Sequence, residues 1–456
     1  MENKNSFTMF QDMPVSQAVM KNVIPAMIAM LMVLIYNLAD TFFIGQTHNA
    51  YQIAAVSLAT PVFLIFMSIG NIFGIGGTSV ISRALGEGQQ EYAKKVCSFC
   101  MWICIIVGVL MTFLFLIFKS NILEWIGASE YTWNFAQNYL TIVSCSGVFV
   151  LISSCFSNIL RAEGQATKAM TGQIIGNLIN IILDPIMILT LDWNITGAAI
   201  ATVIGNVLAA IYYIAYFLRG KSSLSIKIKH FTFNRKICSN VLTIGIPASL
   251  GSMLMSISQM IMNGMMSEYG DMALAGIGVA MKVTMITSMI SMGIGQGVQP
   301  LLGYCVGAKQ WQRYKKIMSF SLCFAFLVGV IMTLFCYIFS NQIISVFLTE
   351  QNAFDYAVHF AKILLTTSTL FGIFYVFINA LQAMGAAVSS FIINISRQGI
   401  IYIPTLFVLK TSVGVTGLVW AQPVADVLSI VIALCLYSIA FQKMIKSTIK
   451  KVNFAS

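Results

Sequence analysis

The chain has 456 residues, of which 58% are hydrophobic and only 9% charged, against roughly 25% charged in a soluble domain. This composition excludes a water-soluble globule, whereas twelve bilayer spans of about 25 residues would use ~300 residues and leave short loops. The formal charge of +11 would suggest a nucleic-acid partner in a soluble protein, so the positions of the charges decide its meaning.

Apolar stretches follow one another near 18–46, 52–82, 95–119, 134–160, 168–191, 195–218, 238–267, 273–303, 316–340, 355–383, 388–410 and 415–441. They are interrupted by Gly and Pro but rarely by charge. Backbone polar groups in hydrocarbon must be satisfied within their own segment, so the twelve stretches are expected as helices of an all-α polytopic membrane protein. With the N-terminus inside, nearly every Lys and Arg falls at cytoplasmic ends: Lys4 and Lys21, Arg83, Lys94 and Lys95, Arg161 and Lys168, the run from Arg219 to Lys236 including Lys221, Lys309 to Lys316, and Lys443 to Lys451. Only Lys119, Lys362 and Lys410 are left for the outer side, and Lys282 and Arg397 for the spans. The asymmetry places both termini in the cytoplasm and explains the net charge without nucleic acid. The polar first ~18 residues show no cleavable signal peptide.

The second half repeats the first at an offset near 221. Ile24-Pro25-Ala26 recurs as Ile246-Pro247-Ala248, Lys94-Lys95 with Ser98-Phe99 as Lys315-Lys316 with Ser319-Phe320, Asn158 and Gly164 as Asn379 and Gly385, and Thr196-Gly197 as Thr416-Gly417. Six helices per repeat is an even number, so the two lobes are parallel repeats related by an axis along the membrane normal. The expected division is 1–218, a basic cytoplasmic linker at 219–237, and 238–456. Such a duplication suits a transporter with alternating access.

Ten cysteines, mostly within apolar helices, read as small reduced hydrophobes. His48, His230 and His359 form no cluster, and neither a metal centre nor another cofactor is expected. The glycine runs Gly74-Ile75-Gly76-Gly77 and Gly293-Ile294-Gly295-Gln296-Gly297 follow no soluble strand and read as surfaces for close helix packing, not as phosphate loops.

Five ionisable residues fall inside the spans: Asp40, Asp184, Lys282, Arg397 and Asp426. Each is expensive at bilayer depth unless paired or hydrated. At ~1.5 Å per residue, Asp40 lies about 9 Å and Asp184 about 12 Å from the outer ends of their helices, with Thr202 at about 12 Å on the next helix. Asn180 sits one turn below Asp184 on the same face. Two carboxylates, an amide and a hydroxyl at a common level form an oxygen-rich site for a monovalent cation or a shared proton. Pro185 is expected to bend its helix beside the acid by removing the bond to the carbonyl of Ile181. In the second repeat the four positions become Met262, Ile401, Thr405 and Gln422, none of them acidic. Arg397 and Asp426, both near mid-membrane, are expected to pair across adjacent helices. Methionines cluster around Met253 to Met266; most of the chain's methionines read as ordinary apolar filler, and helix 7 is kept as a candidate for a pliable substrate wall. Its candidate members are Tyr36, Asn37, Met255, Gln259, Asn263 and Lys282.

Several of these segments carry a family resemblance. Asp40-Thr41-Phe42-Phe43-Ile44-Gly45, Gly74-Ile75-Gly76-Gly77-Thr78 with Arg83-Ala84-Leu85-Gly86, Leu160-Arg161-Ala162-Glu163-Gly164, Asn180 to Pro185, and Thr196 to Thr202 occur in order along the chain. Together they resemble the multidrug and toxic compound extrusion (MATE) family, closest to its DinF-type branch and, within it, to the MepA-like multidrug exporters of staphylococci. The resemblance implies two six-helix bundles in a V, and export of amphipathic, often cationic compounds driven by inward protons or sodium. It also assigns Asp40, Asn180, Asp184 and Thr202 to a sodium site, as in archaeal DinF-type members. The chain departs from the NorM-type branch, which would require acids in helices 7 and 10. The protein is thus expected to be a multidrug antiporter acting as a monomer among membrane lipids on small lipophilic cations. A lipid-linked saccharide flippase should carry more basic residues in its cavity than Lys282 and Arg397, and an intramembrane enzyme would need a nucleophile and base or a metal set.

The charge distribution predicts that single cysteines at 227 and 309 label from the cytoplasm and those at 130 and 271 from outside, in a background without reactive native thiols. Labelling of position 309 from outside would break the twelve-helix assignment.

Overall fold

The computed structural model describes residues 10–47, 49–220, 222–348 and 350–453, with backbone alone at 50, 53 and 447–453. Lys4, His48 and Lys221 lie outside the described residues. All regular structure described is helical. The spans are α1 (Val15–Gly45), α2 (Ala50–Gly86), α3 (Gln90–Ile117), α4 (Glu130–Cys145 with Gly147–Ala162), α5 (Ala166–Asp184 continued by Pro185–Thr190) and α6 (Asn194–Leu218). The second series is α7 (Arg235–Ser267), α8 (Asp271–Gly307), α9 (Trp311–Ile338), α10 (Gln351–Leu365 with Phe371–Met384), α11 (Ala387–Ile395, Ser396–Ile400 and Tyr402–Val413) and α12 (Val415–Asn453). Ten of these are long and apolar enough to cross a bilayer, and α4 and α10 make twelve if each bent pair is one span.

The bends are the first departure from twelve uninterrupted helices. α4 turns by 55° at Ser146 and α10 by 42° around Ser368. Hydroxyl side chains at both breaks bond back to the preceding turn: Ser146 Oγ donates to the Val143 carbonyl at 2.7 Å, Thr366 Oγ1 to Ile363 at 2.6 Å, and Ser368 Oγ to Leu364 at 3.3 Å. Such bonds compete with the helical ladder and bend it. Ser146 and Thr367 correspond at the repeat offset, so the duplication preserves the bend as well as the spans.

Helix ends repeat in the same way. Gly164 closes α4 at φ 81° and Gly385 closes α10 at φ 73°, the left-handed conformation that glycine adopts without a Cβ penalty. Where Gly88 takes φ 74° after α2, its counterpart after α8 is Lys309 at φ 55°, a conformation costing a non-glycine residue about 1 kcal/mol.

Two compact units divide the chain: Met1–Asp12 with Ile28–Gly245, and Met13–Met27 with Ile246–Ser456. α1 and α7 therefore each contribute to both units, changing over within three residues of Pro25 and Pro247. The segment 219–237 belongs to the first unit and is folded onto it. The buried Glu163 carboxylate accepts from the hydroxyls of Ser222 and Ser223 and from the Ser223 N–H. Ser98 Oγ and Trp102 Nε1 donate to the carbonyls of Lys227 and Ile226 at 2.9 and 3.2 Å. What the sequence presents as a polar hinge is a strap with its backbone groups in use.

Within the first unit, α2 packs on α4 and α5 on α6; within the second, α8 packs on α10 and α11 on α12. Small residues allow these approaches. A Cβ at Gly205 of α6 would stand 2.5 Å from the carbonyl oxygen of Gly176 on α5, and one at Gly176 would stand 2.9 Å from the carbonyl oxygen of Gly205. Nothing lies within 4 Å of the position a Cβ would take at Gly264. Gly205→Ala should therefore force the two helices apart at a cost of about 1–3 kcal/mol, whereas Gly264→Ala should be neutral or gain up to about 1 kcal/mol of helix propensity. Thermal melting of the two purified variants checks this; equal melting would show that the contact tolerates a methyl group.

Candidate functional site

The Gly176–Gly205 contact sets the geometry of the first unit's polar centre, because it brings α5 against α6 one turn below Asn180. With the amide oriented to satisfy both its ends, Asn180 Nδ2 donates to Asp184 Oδ2 at 3.0 Å, and its oxygen accepts from Thr202 Oγ1 at 3.3 Å and Thr202 N at 3.0 Å. Asn180, Asp184 and Thr202 are all buried. Asp40, half-buried on α1, is close enough for its carboxylate to act electrostatically on Asp184. The half-buried Tyr36, one turn before Asp40, lies near Thr202. Four positions picked out by depth along three separate helices thus share one neighbourhood.

Pro185 sits at the expected irregularity, in a different form from a simple bend. Lacking an N–H, it cannot bond the carbonyl of Ile181, and the chain widens from Pro185 to Thr190 into a π-helical turn, with Leu191 N donating to Ile186 at 2.8 Å. π-turns insert a residue into the helix and re-aim side chains, and here the widening starts directly after the acid.

Asp184 is incompletely satisfied. Oδ2 accepts from Asn180, but Oδ1 is buried with no hydrogen-bond partner among the described residues. An open acceptor on a buried carboxylate beside a second carboxylate is what a proton or a hard monovalent cation would fill. Tyr139 of α4 completes the surround. It is buried, lies within electrostatic reach of both acids, and belongs to an apolar cluster with Ala59, Val143 and Ala199. It was not foreseen, since a tyrosine in an apolar helix gives no signal of which acids it will face.

The second unit holds a differently built centre. Arg397 Nε donates to Asp426 Oδ1 at 2.8 Å, Gln422 Nε2 donates to the same oxygen at 2.9 Å, and Thr367 Oγ1 donates to Oδ2 at 3.1 Å. The guanidinium also lies 5.0 and 4.8 Å from the ring centres of Phe371 and Phe374, a cation–π arrangement that partly replaces lost hydration. The expected pair therefore forms, within a larger set. Gln422 is the counterpart of Thr202, and Thr367 is delivered by the bend in α10. Arg397 itself lies in the π-turn Ser396–Ile400. That turn frees the Gln398 carbonyl to accept from Ser258 Oγ of α7.

Beside this centre is a cavity of about 400 Å³, within the size range of drug-sized ligands. Among its lining residues are Met255, Gln259, Met281, Lys282, Arg397 and Gln422. The proposed wall residues thus separate. Met255, Gln259 and Lys282 line the cavity, Tyr36 joins the carboxylate centre, and Asn37 and Asn263 are exposed and border neither. The α7 methionines split as well. Met262, Met265 and Met266 are core residues, with Met262 also reaching the cavity, whereas Met253, Met255 and Met260 are exposed. Lys282 Nζ stands 4.9 Å from the centre of the Phe347 ring.

The MatE family model matches residues 25–186 and again residues 247–408, one match per repeat. The chain belongs to the MATE family. The multidrug export protein MepA of Staphylococcus aureus (strain MSSA476) is 33% identical over 417 residues, covering 91% of this chain and 92% of its own length. MepA of Staphylococcus haemolyticus (strain JCSC1435) is 32% identical over the same shares of both chains. A MATE protein crystallised in complex with MaL6 shares the fold, with a TM-score of 0.91 at 23% identity over 97% of this chain and 99% of the other. MATE membership accounts for the duplicated, all-helical, multi-pass architecture that the repeat already implied.

In this MATE protein the buried aspartates Asp184 and Asp426 should respond differently to substitution. Asp426→Asn leaves Arg397 buried and unpaired, a loss of about 3–5 kcal/mol, and should lower folded yield sharply; Arg397→Met combined with Asp426→Asn should recover most of it. Asp184→Asn removes a charge with no such partner and should leave yield near normal. Size-exclusion recovery in detergent measures all three, and equal losses for Asp184→Asn and Asp426→Asn would contradict the contrast.

Proposed function

We propose that the chain is a secondary active multidrug exporter of the bacterial cytoplasmic membrane, moving lipophilic, mostly cationic compounds outward against an inward flow of H+ or Na+. The observation that carries this reading is the buried, half-satisfied Asp184 beside Asp40, Asn180 and Thr202, in a chain related to multidrug export proteins. A driving ion must bind the access states with different affinity, or it shifts nothing. The Asp40–Asp184 centre supplies that difference. With a proton or cation bound, repulsion between the acids is relieved and α1 and α5 can approach; without it they separate. Neutralising one acid leaves the shape of the site almost unchanged and removes the coupling charge.

Everted membrane vesicles loaded by imposed proton and sodium gradients, applied separately, test this with ethidium as the transported cation. Wild-type protein should accumulate the dye under at least one gradient. Asp40→Asn and Asp184→Asn should each abolish gradient-driven transport, a loss of more than about tenfold, while leaving equilibrium dye binding largely intact. Full transport by the double variant at normal expression would place the coupling site elsewhere.

A further inference from the structure

The second unit's cavity has an electrostatic character opposite to that of the carboxylate centre. Two cations line it, Lys282 and Arg397, and no acid does. Asp426 stands behind Arg397 and Gln422 and is 2% exposed. Both its oxygens are already engaged by Arg397, Gln422 and Thr367, so it has little capacity left for a ligand's cation. Arg397 and Asp426 cancel as a pair. What the cavity presents is the single positive charge of Lys282.

Lys282 forms no ion pair among the described residues. Its ammonium, on a half-buried side chain of α8, faces the ring of Phe347, which offsets part of the lost hydration but supplies no counter-charge. Much of the surrounding wall is thioether and hydrocarbon, from Met255, Met262, Met281, Met285, Met289 and Leu364, with the neutral polar groups of Thr284, Ser288 and Tyr402 among them. A half-buried cation without a counter-charge favours an anionic partner, and a wall with many apolar side chains reduces the water that competes for the pair. A monocation entering the same space would meet uncompensated like charge. The methionines are unbranched and polarisable and adapt to differently shaped apolar bodies.

We infer that this cavity is a binding site for amphipathic organic acids, in which Lys282 pairs with the ligand's carboxylate and the methionine wall holds its aromatic or aliphatic body. The inference deepens the exporter reading by adding carboxylate-bearing ligands to the cationic ones, and its site is separate from the Asp40–Asp184 centre. Gln259, whose Nε2 lies 3.6 Å from Met281 Sδ, adds an amide group to the same lining.

Three probes that share one body and differ in head group test it: 1-pyrenebutyrate, 1-pyrenebutanol and 1-pyrenebutylamine, titrated against purified full-length protein in lipid nanodiscs with empty nanodiscs subtracted. Lys282→Met, which matches the surrounding wall, and Lys282→Gln should each weaken pyrenebutyrate binding by about tenfold or more while changing pyrenebutanol less than about twofold. Lys282→Arg should keep butyrate binding within about threefold of wild type, and pyrenebutylamine should bind better to Lys282→Met than to wild type. Unchanged butyrate affinity in both neutral variants, or parallel weakening of butyrate and butanol, overturns the site. Binding is read at equilibrium and needs no transport, so absence of ethidium efflux from wild-type vesicles would overturn the exporter function while Lys282-dependent butyrate binding still upheld the site.

Discussion

A carboxylate in hydrocarbon must be protonated, paired or wrapped in hydrogen-bond donors, and the two buried aspartates of this chain meet that constraint in contrasting ways. Asp426 accepts from an arginine, an amide and a hydroxyl. Asp184 has one amide donor and an unpartnered oxygen. Satisfying both oxygens of Asp426 makes it a fixed part of the second unit, for a buried pair is costly to separate. One oxygen of Asp184 has no partner among the described residues. The same residue type has both oxygens engaged in one repeat and keeps an open acceptor in the other.

Irregular helix is the means by which both arrangements are reached. A straight α-helix in lipid satisfies its backbone internally and has no carbonyl to spare. The π-turn after Asp184, the π-turn holding Arg397, and the bends at Ser146 and Ser368 each disturb that closure at membrane depth. Each disturbance is repaired locally. Ser146 and Thr366 return hydroxyl bonds to the preceding turn, and Ser258 takes up the Gln398 carbonyl. Close glycine contacts then bring the disturbed segments near enough to cooperate, as Gly176 and Gly205 do for Asn180 and Thr202.

The spans, the duplication and the location of the five intramembrane charges were legible because hydropathy, repeat offset and helix rise are one-dimensional properties of the chain. The Asp40, Asn180, Asp184 and Thr202 grouping was legible for the same reason: equal depth on helices that must neighbour one another. Helix breaks were less so. Pro185 announced one, but its π form, the proline-free turn at Ser396 and the bends of α4 and α10 depend on which carbonyls find hydroxyl partners. Tyr139 and Thr367 stayed hidden because their part depends on rotation about a helix axis, which depth does not give. The contacts of the linker were not legible either, since a basic, polar composition does not say that Glu163 will bond Ser222 and Ser223.

Duplication gives two copies of a scaffold the same bends and caps, and it leaves the polar positions free to diverge. At Thr202 and its counterpart Gln422 the first repeat bonds an amide that supports an acid, and the second reaches an acid directly, one turn further along α12. At Gly176, whose counterpart at the repeat offset is Arg397, the first repeat needs the absence of a side chain to bring α5 onto α6, and the second places its buried cation. A glycine that permits close approach and an arginine that fills the equivalent space cannot coexist in one packing. In the second repeat the buried Arg397 is matched by Asp426, which leaves Lys282 as the cavity's net charge, while the first repeat holds Asp40 and Asp184 where the second has Met262 and Thr405. The opposite polarity of the two units therefore follows from these exchanges and from Lys282, which stands where the first repeat has Pro61, in an otherwise shared fold.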